Sequence, residues 1–346
     1  MAKIIAVSAD DVTYYNLPGN QGDLSRDGTV IDDTIFGQTF KSGMTGIIGW
    51  ALSANAVYKG FAGYQATIKK TGTATTMTGE ACTLVSGKTY RITNSAHRIL
   101  DRSATWIVYD NGVDHTADVE NIDYLFGTIT FKAAYTITGP ITVDGKWFPT
   151  AALGKARSYT LTQTADAIDT TDFGTAAANG GYKTHVPGLR TVTLELPGVY
   201  DSVADFQAQL TSRSEVLLEI CPDGAQKSLA RGFFRLMSTK QSGNVGALEE
   251  ENLSFSLSVP IDVDSPAIYV PFGWQHDVTS TIPTAVKKIL EAWLGETLLY
   301  GKYLHNGTTG FKGQGVVTNF TMTGAMDAMN SFQFGLQGSG SMTSVP

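Results

Sequence analysis

Few residues of this chain stand in the spacings that chemistry requires. Residues 86–89, "SGKT", have the end of a phosphate-binding loop, in which backbone amides, a lysine and a hydroxyl hold a nucleotide's phosphates. The first glycine of that motif falls on Cys82, so the cradle cannot close. The glycine clusters "GFKGQG" and "GLQGSG" do not complete a dinucleotide fingerprint, because Thr318 occupies the last position after Gly313 and Gly315. No GxSxG elbow occurs to expose a nucleophilic serine. The five histidines, at 97, 115, 185, 276 and 305, have none of the HxxxH or HExxH spacings that bring two imidazoles onto one metal. Glu249, Glu250 and Glu251 are consecutive, and on a strand such neighbours point to opposite faces, so they read as a solvated loop rather than a cation site. Cys82 and Cys221 lie far apart with no CxxC pairing, which predicts buried free thiols. The sequence therefore gives no support to an enzyme mechanism, and no cofactor or metal is expected.

The elements that would position any site are mainly β. Hydrophobic residues make up 42% of the chain and charged residues only 16%, with 37 glycines. Soluble domains usually carry about 25% charged residues, so the composition suits a β-rich protein with much uncharged surface. At 346 residues the chain exceeds one ordinary core and predicts several domains. The net charge of −7 divides as −3 over 1–65 plus 264–346, −1 over 66–145 and −3 over 146–263. No segment is basic, which excludes an extended grip on nucleic-acid phosphates. The N-terminal apolar run is too short for a signal peptide, and the apolar stretch 44–64 is broken by Ser53, Asn55 and Lys59, so no membrane span is expected.

Along 188–260 the pattern reads strand, short amphipathic helix over 201–213, hairpin closed at Pro222-Asp223-Gly224, strand. Along 280–338 it reads helix, with Val286, Ile289, Leu290 and Trp293 on one face and Gly295 as the stop, then a hairpin with an Asn306-Gly307 turn, a loop through Gly324 and a last strand. The missing front strand of this second copy stands at the other end of the chain. "GIIGWALSANAVY" (46–58) aligns without gaps on "GLRTVTLELPGVY" (188–200), and "IDDTIFG" (31–37) matches "IDTTDFG" (168–174) upstream. An internal duplication follows. Copy B is continuous over 146–263, and copy A is split into 1–65 and 264–346, with 264–280 as a return linker. Residues 66–145 have no counterpart and predict a small all-β insertion, its strands separated by Asn-Gly, Phe-Gly-Thr and Asp-Gly turns, carried on copy A's edge or on the link between the copies.

Copy B, with "SYTLTQTADAIDTTDFG", the loop "GTAAANGGYKTHVPG" and "RGFFRLMSTKQSGNVGALEEENLSFSLSV", resembles the major tail tube proteins of long-tailed bacteriophages. The resemblance covers both copies and leaves out the insertion. It implies two β-sandwich or barrel-like tube domains, each with a short flanking helix, whose inner sheets join those of neighbours into a ring. Stacked rings would form the virion's tail tube, a conduit through which double-stranded DNA passes without specific binding. The family places one such domain in each of six chains, so the duplication implies three chains per ring. The resemblance also implies synthesis in the host cytoplasm and, besides the chain itself, a tail terminator, a tape measure and a distal tail protein as partners. Loops containing Lys41, Asn179, Tyr182 and His185 are candidates for contacts between stacked rings. Strand residues Arg231, Arg235, Ser254, Ser256, Lys312, Gln314, Ser331 and Gln333 are candidates for the lumen-lining or inner sheets. The alternative is a carbohydrate-binding or adhesin protein of tandem β-sandwiches, although its five tryptophans are dispersed rather than gathered on a platform.

Overall fold

A computed structural model describes residues 3–36, 38–62, 66–152, 156–199, 210–223, 227–242, 250–258, 271–276 and 280–346. In chain order, copy A begins with β1 (Ile4–Ser8), β2 (Tyr15–Asn16), β3 (Gly19–Asp32) and β4 (Gly43–Ala62). There follow β5 (Thr67–Thr71), β6 (Thr75–Ser86), β7 (Thr89–Ile92), β8 (Ile107–Asp110), β9 (Val113–Asp114), β10 (Val119–Asp123), β11 (Thr128–Phe131), β12 (Ile141–Trp147) and β13 (Thr150–Ala152). Copy B supplies β14 (Ser158–Asp169), helix α1 (Phe173–Ala178), β15 (His185–Val199), β16 (Glu215–Cys221), β17 (Ser228–Ser242) and β18 (Glu250–Leu257). The chain ends with β19 (Phe272–His276), helix α2 (Thr284–Leu294), β20 (Leu299–Leu304), β21 (Gly310–Ala325), β22 (Met329–Gly338) and β23 (Thr343–Val345). The protein is mainly β, as its composition and alternation predict.

Two compact units result. The first contains Met1–Gln65, Arg157–Leu196 and Ser280–Pro346; the second contains Ala66–Ala156 and Pro197–Thr279. In the first, β3, β4, β22, β21, β14 and β15 lie side by side in that order, all neighbours antiparallel. Period-two alternation sends one set of side chains inward. A single row across the sheet runs Val192, Gln163, Phe320, Phe334, Ala54 and Gly22, and its side chains from Val192 to Ala54 are buried. Helix α2 packs against β1, β2 and β21 and buries Val286, Ile289, Leu290 and Trp293, the face read from the sequence, with Gly295 as its C-cap. The Arg190 guanidinium on β15 donates to the Trp293 and Leu294 carbonyls at 3.2 and 2.6 Å, placing a cation on the helix's negative end. Copy B's front hairpin is thereby fixed to copy A's helix.

The second unit holds the strand series β13, β5, β16, β17 and β18, with β19 added to β17. It also holds a seven-stranded sheet ordered β10, β11, β7, β6, β12, β8, β9. The seven-stranded sheet closes on Met77, Ile92, Leu100, Trp106, Val108 and their neighbours. A second cluster joins Ile99, Leu125 and Phe126 of the insertion to Leu217, Cys221, Leu229 and Phe233 of copy B. Polar contacts reinforce it. Arg102 Nη2 donates to both Glu215 oxygens at 2.7 and 2.6 Å, while buried Arg231 donates to Glu219 at 2.8 Å and to the Leu125 carbonyl at 2.8 Å. Lys69 on β5 completes the network, 3.0 Å from Glu219.

Several expectations change. Residues 146–263 do not form one compact unit: β14 and the first part of β15 group with copy A because β14 pairs with β21 from Ser158↔Ala325 to Thr164↔Asn319. The insertion is carried by copy B rather than copy A, since β5 pairs with β16 and the shared apolar cluster lies there. Within the expected linker 264–280, Phe272–His276 is a strand, because its backbone completes the edge of β17. Gly324 lies inside β21 rather than in a loop; an added Cβ there would come within 2.4 Å of the Tyr159 ring, so the glycine serves packing. Gly145 likewise lies within β12, where a Cβ would strike Trp106 at 2.6 Å, and no Asp-Gly turn forms. The Asn111-Gly112 and Phe126-Gly127 turns do form, with positive φ at Asn111, Gly112 and Gly127. The helix expected over 201–213 falls largely outside the described residues.

Removing one partner of a buried ion pair strands the other's charge. Arg231→Ala is therefore expected to destabilise the second unit by about 3–5 kcal/mol, read by denaturant unfolding, whereas Lys240→Ala on the exposed end of the same strand should stay within about 0.5 kcal/mol.

Candidate functional site

The two front hairpins, β3–β4 and β14–β15, are built alike to the level of single bonds. Each carries a bulge at the same repeat position, between Gly28 and Val30 in one and between Ala165 and Ala167 in the other. Each enters its loop through an Asp-x-Thr turn. The Thr34 N–H donates to Asp32 at 2.9 Å, and the Thr171 N–H donates to Asp169 at 2.9 Å. The same threonines then clasp the returning strand: Ser42 N–H donates to the Thr34 hydroxyl at 2.8 Å, and Thr184 N–H to the Thr171 hydroxyl at 2.9 Å. These contacts sit on "IDDTIFG" and "IDTTDFG", so the repeat read from sequence is a repeat of geometry. The loops differ in content. Copy B's holds α1, capped by Asp172 in a reciprocal capping box with Thr175.

Both hairpin ends expose apolar side chains at matched positions. Ile31, Phe36, Met44 and Ile47 are exposed in copy A; Ile168, Phe173, Val186 and Leu189 are exposed in copy B. Ile31 faces Met44 across the strands, as Ile168 faces Val186. Copy A adds Val30, Ile35 and Phe40. Scattered surface apolar residues need no explanation, but apolar exposure repeated position for position in two copies is not scatter. Phe36 and Phe173 stood in the quoted repeat, where they served only to align it. The missed signal was that apolar residues flank a polar turn in both copies.

The sheet face opposite the core has its own character. One row runs Thr193, Thr162, Thr321, Gln333, Asn55, Gln21; the next runs Thr191, Thr164, Asn319, Gly335, Ser53, Asp23. Neither row contains a lysine or arginine. Hydroxyl and amide groups dominate, with Asp23, Asp27 and Glu195 as carboxylates.

The residues singled out from sequence separate into groups. Lys41 is exposed in the 33–42 loop, beside the apolar cluster. Asn179 and Tyr182 are half-buried and His185 is buried. Asn179 caps α1 and donates to the Thr175 carbonyl at 2.9 Å; Tyr182 bridges to Ile48; His185 Nδ1 donates to the Gly338 carbonyl at 2.7 Å and is buried. A long loop must satisfy its backbone groups, and this one does so against β4 and the 338–340 turn. Ser331 and Gln333 lie on the open face of β22, and Gln333 is exposed. Arg235, opposite Ser256, is exposed on β17, and Ser254 and Ser256 are half-buried on β18. Arg231 is no lining residue, being 6% exposed within its Glu219 network. Lys312 is held at 2.8 Å by Asp11, whose carboxyl that hydrogen bond lowers below its usual value, and Gln314 is half-buried opposite Tyr300.

A cleft of about 430 Å³ opens beside β3 and the 183–185 segment, lined by Asp27, Ile47, Trp50, Lys183, His185 and Gln337 among others. Trp50 Nε1 donates to the Gly340 carbonyl at 3.0 Å, so the cleft's wall is itself tied down. Burial, with Glu80 nearby, pushes the Cys82 thiol up to about 12, far from a reactive thiolate. Among the described residues no group of three or more His, Cys, Asp or Glu side chains could hold a metal ion, and no helix is long and apolar enough to cross a membrane. The fold defines a mainly β protein with two matched apolar hairpin ends and a neutral-to-acidic sheet face. No family model matches the chain, and no curated protein is significantly similar to it.

The Thr171 hydroxyl and N–H, then Lys183 at 3.3 Å, hold the Asp169 carboxyl down at about 2. A carboxylate depressed in the folded state stabilises above its unfolded value near 4 and loses that contribution as pH falls toward 2. Amide protection factors over 170–184, with the intrinsic pH dependence of exchange divided out, should therefore fall between about pH 4 and pH 2, and Asp169→Asn should reduce that fall, leaving the part due to Asp172, whose carboxyl the Thr175 hydrogen bonds also hold low.

Proposed function

We propose that the chain is a structural protein that assembles with copies of itself into rings, which stack into a tube serving as a conduit for DNA in a virion tail. One observation carries the proposal: copy A's strands β3, β4, β22 and β21 continue without interruption into copy B's β14 and β15, and each copy's hairpin ends in the same exposed apolar cluster. Edge-to-edge continuation builds a wall, and apolar hairpin ends on the same side of the sheet give that wall a surface on which the next ring can seat. The open sheet face, rich in hydroxyls and amides and poor in cations over the first unit, suits a channel that DNA must slide through, since lysine and arginine would hold phosphates. The duplication supports three chains per ring, each giving two wall segments. Terminator, tape-measure and distal tail proteins would then be partners at the tube's ends and interior.

Cryo-electron microscopy of the concentrated protein tests this. Tubes with three-fold rings and three outer lobes from the insertion are expected. Dispersed monomers with affinity for glycans would overturn the proposal in favour of an adhesin, and six identical lobes per ring would overturn the three-chain ring. Phe36→Asp combined with Phe173→Asp should abolish stacking yet leave unfolding stability within about 0.5 kcal/mol, because both rings are already in solvent.

A further inference from the structure

The joint between the copies inside one chain is a template for the joint between chains. β21 carries β22 on one side; on the other it carries β20 along 310–315 and then β14 along 319–325. β17 repeats this arrangement. It carries β18 on one side and β16 along 230–235 on the other. Its bulge, between Leu236 and Ser238, matches the one between Val317 and Asn319, which makes Ser238 the counterpart of Asn319 and Lys240 that of Thr321. Where β14 follows on β21, however, no strand follows on 236–242 among the described residues. The complementary vacancy is on β3. Its counterpart β14 is paired on both sides, whereas β3 pairs only with β4 among the described residues. Leu161 on β14 is fully buried, while its counterpart Leu24 on β3 is only half-buried.

We propose that β3 of one copy pairs antiparallel with β17 of a second copy of this chain, in the register of the internal joint: Asp27 opposite Ser238, Arg26 opposite Thr239, Ser25 opposite Lys240 and Leu24 opposite Gln241. This rests on the ring-forming reading and names its contact. Transferring the pairs Thr164↔Asn319, Gln163↔Phe320, Thr162↔Thr321 and Leu161↔Met322 through the repeat gives that register. The charges agree with it. Ser25, Asp23 and Asp27 share the open face of β3, so Lys240, opposite Ser25, stands between two carboxylates. Among the described residues neither Asp23, Asp27 nor Lys240 has an ion pair within the chain. At the internal joint the same places hold threonines, and the Thr162 and Thr321 hydroxyls approach to 3.5 Å. The covalent joint needs no charge to select its partner; the joint between chains gains both register and selectivity from one. Because the two edges differ, the contact is heterologous, and it either closes into a ring or propagates.

Paired cysteines test the register. Ser25→Cys with Lys240→Cys should give, on oxidation of the assembled protein, a disulfide between chains that runs as covalent multimers on a non-reducing gel. Ser25→Cys with Thr239→Cys, which lie on opposite faces, should not. Rings or tubes that form in the microscope while only the mismatched pair links, or neither links, would overturn the register and leave the tube reading standing. Linked multimers without tubes would uphold the edge pairing and overturn the tube, and a chain that stays monomeric throughout would overturn both. In a second arm, Lys240→Glu should raise the concentration needed for assembly about fivefold to tenfold, and adding Asp27→Lys should restore it. An unchanged threshold in Lys240→Glu would remove the charge clasp from the proposal.

Discussion

Unpaired backbone at a sheet edge is the constraint around which this protein is organised. A strand edge presents a row of amide and carbonyl groups that need partners, and an open edge on a flat wall is a site of uncontrolled association. Copy A meets the constraint on one side by taking β14 of copy B onto β21, from Ser158↔Ala325 to Thr164↔Asn319. That single pairing explains why the compact units cut across the repeat. It explains why Arg190 of copy B caps a helix of copy A, and why Leu161 is sealed while Leu24 is not. Within this chain the pairing between the copies is intramolecular.

The second unit uses its extra residues differently. The insertion does not float on a linker, because Ile99, Leu125 and Phe126 share a core with Leu217, Leu229 and Phe233, and because Arg231 reaches from β17 to the Leu125 carbonyl. At the equivalent place in copy A, Lys312 is answered by Asp11 on an exposed turn. One position therefore carries a cation in both copies, buried where the insertion covers it and half-exposed beside Asp11 in copy A. Divergence between the copies follows their different surroundings, while the bulges at Thr29 and Asp166, and at Thr318 and Met237, are kept because strand register depends on them.

Much of this was legible in the chain. Alternation marked the strands, the Val286, Ile289, Leu290 and Trp293 spacing marked α2, and the matched "IDDTIFG" and "IDTTDFG" segments marked hairpin ends whose clasps prove identical. Reading failed where a residue type has two uses. Gly145 and Gly324 look like turn residues and are packing residues, since Trp106 and Tyr159 occupy the space a Cβ would need. His185 looks like an exposed loop residue and is buried, because its loop folds back on β4 and the 338–340 turn.

What the sequence determined by itself is local and periodic: the mainly β class, the helix, the repeat and the scarcity of basic residues. Each depends on spacing along the chain, which sequence records directly. Tertiary structure alone decided which strand lies beside which, that the insertion belongs to copy B, that Arg231 is sealed rather than exposed, and that β14 is paired on both sides while β3, among the described residues, pairs only with β4. Those outcomes rest on contacts between residues far apart in sequence, where one register or another satisfies the same local pattern and only the full set of hydrogen bonds and packed side chains selects among them.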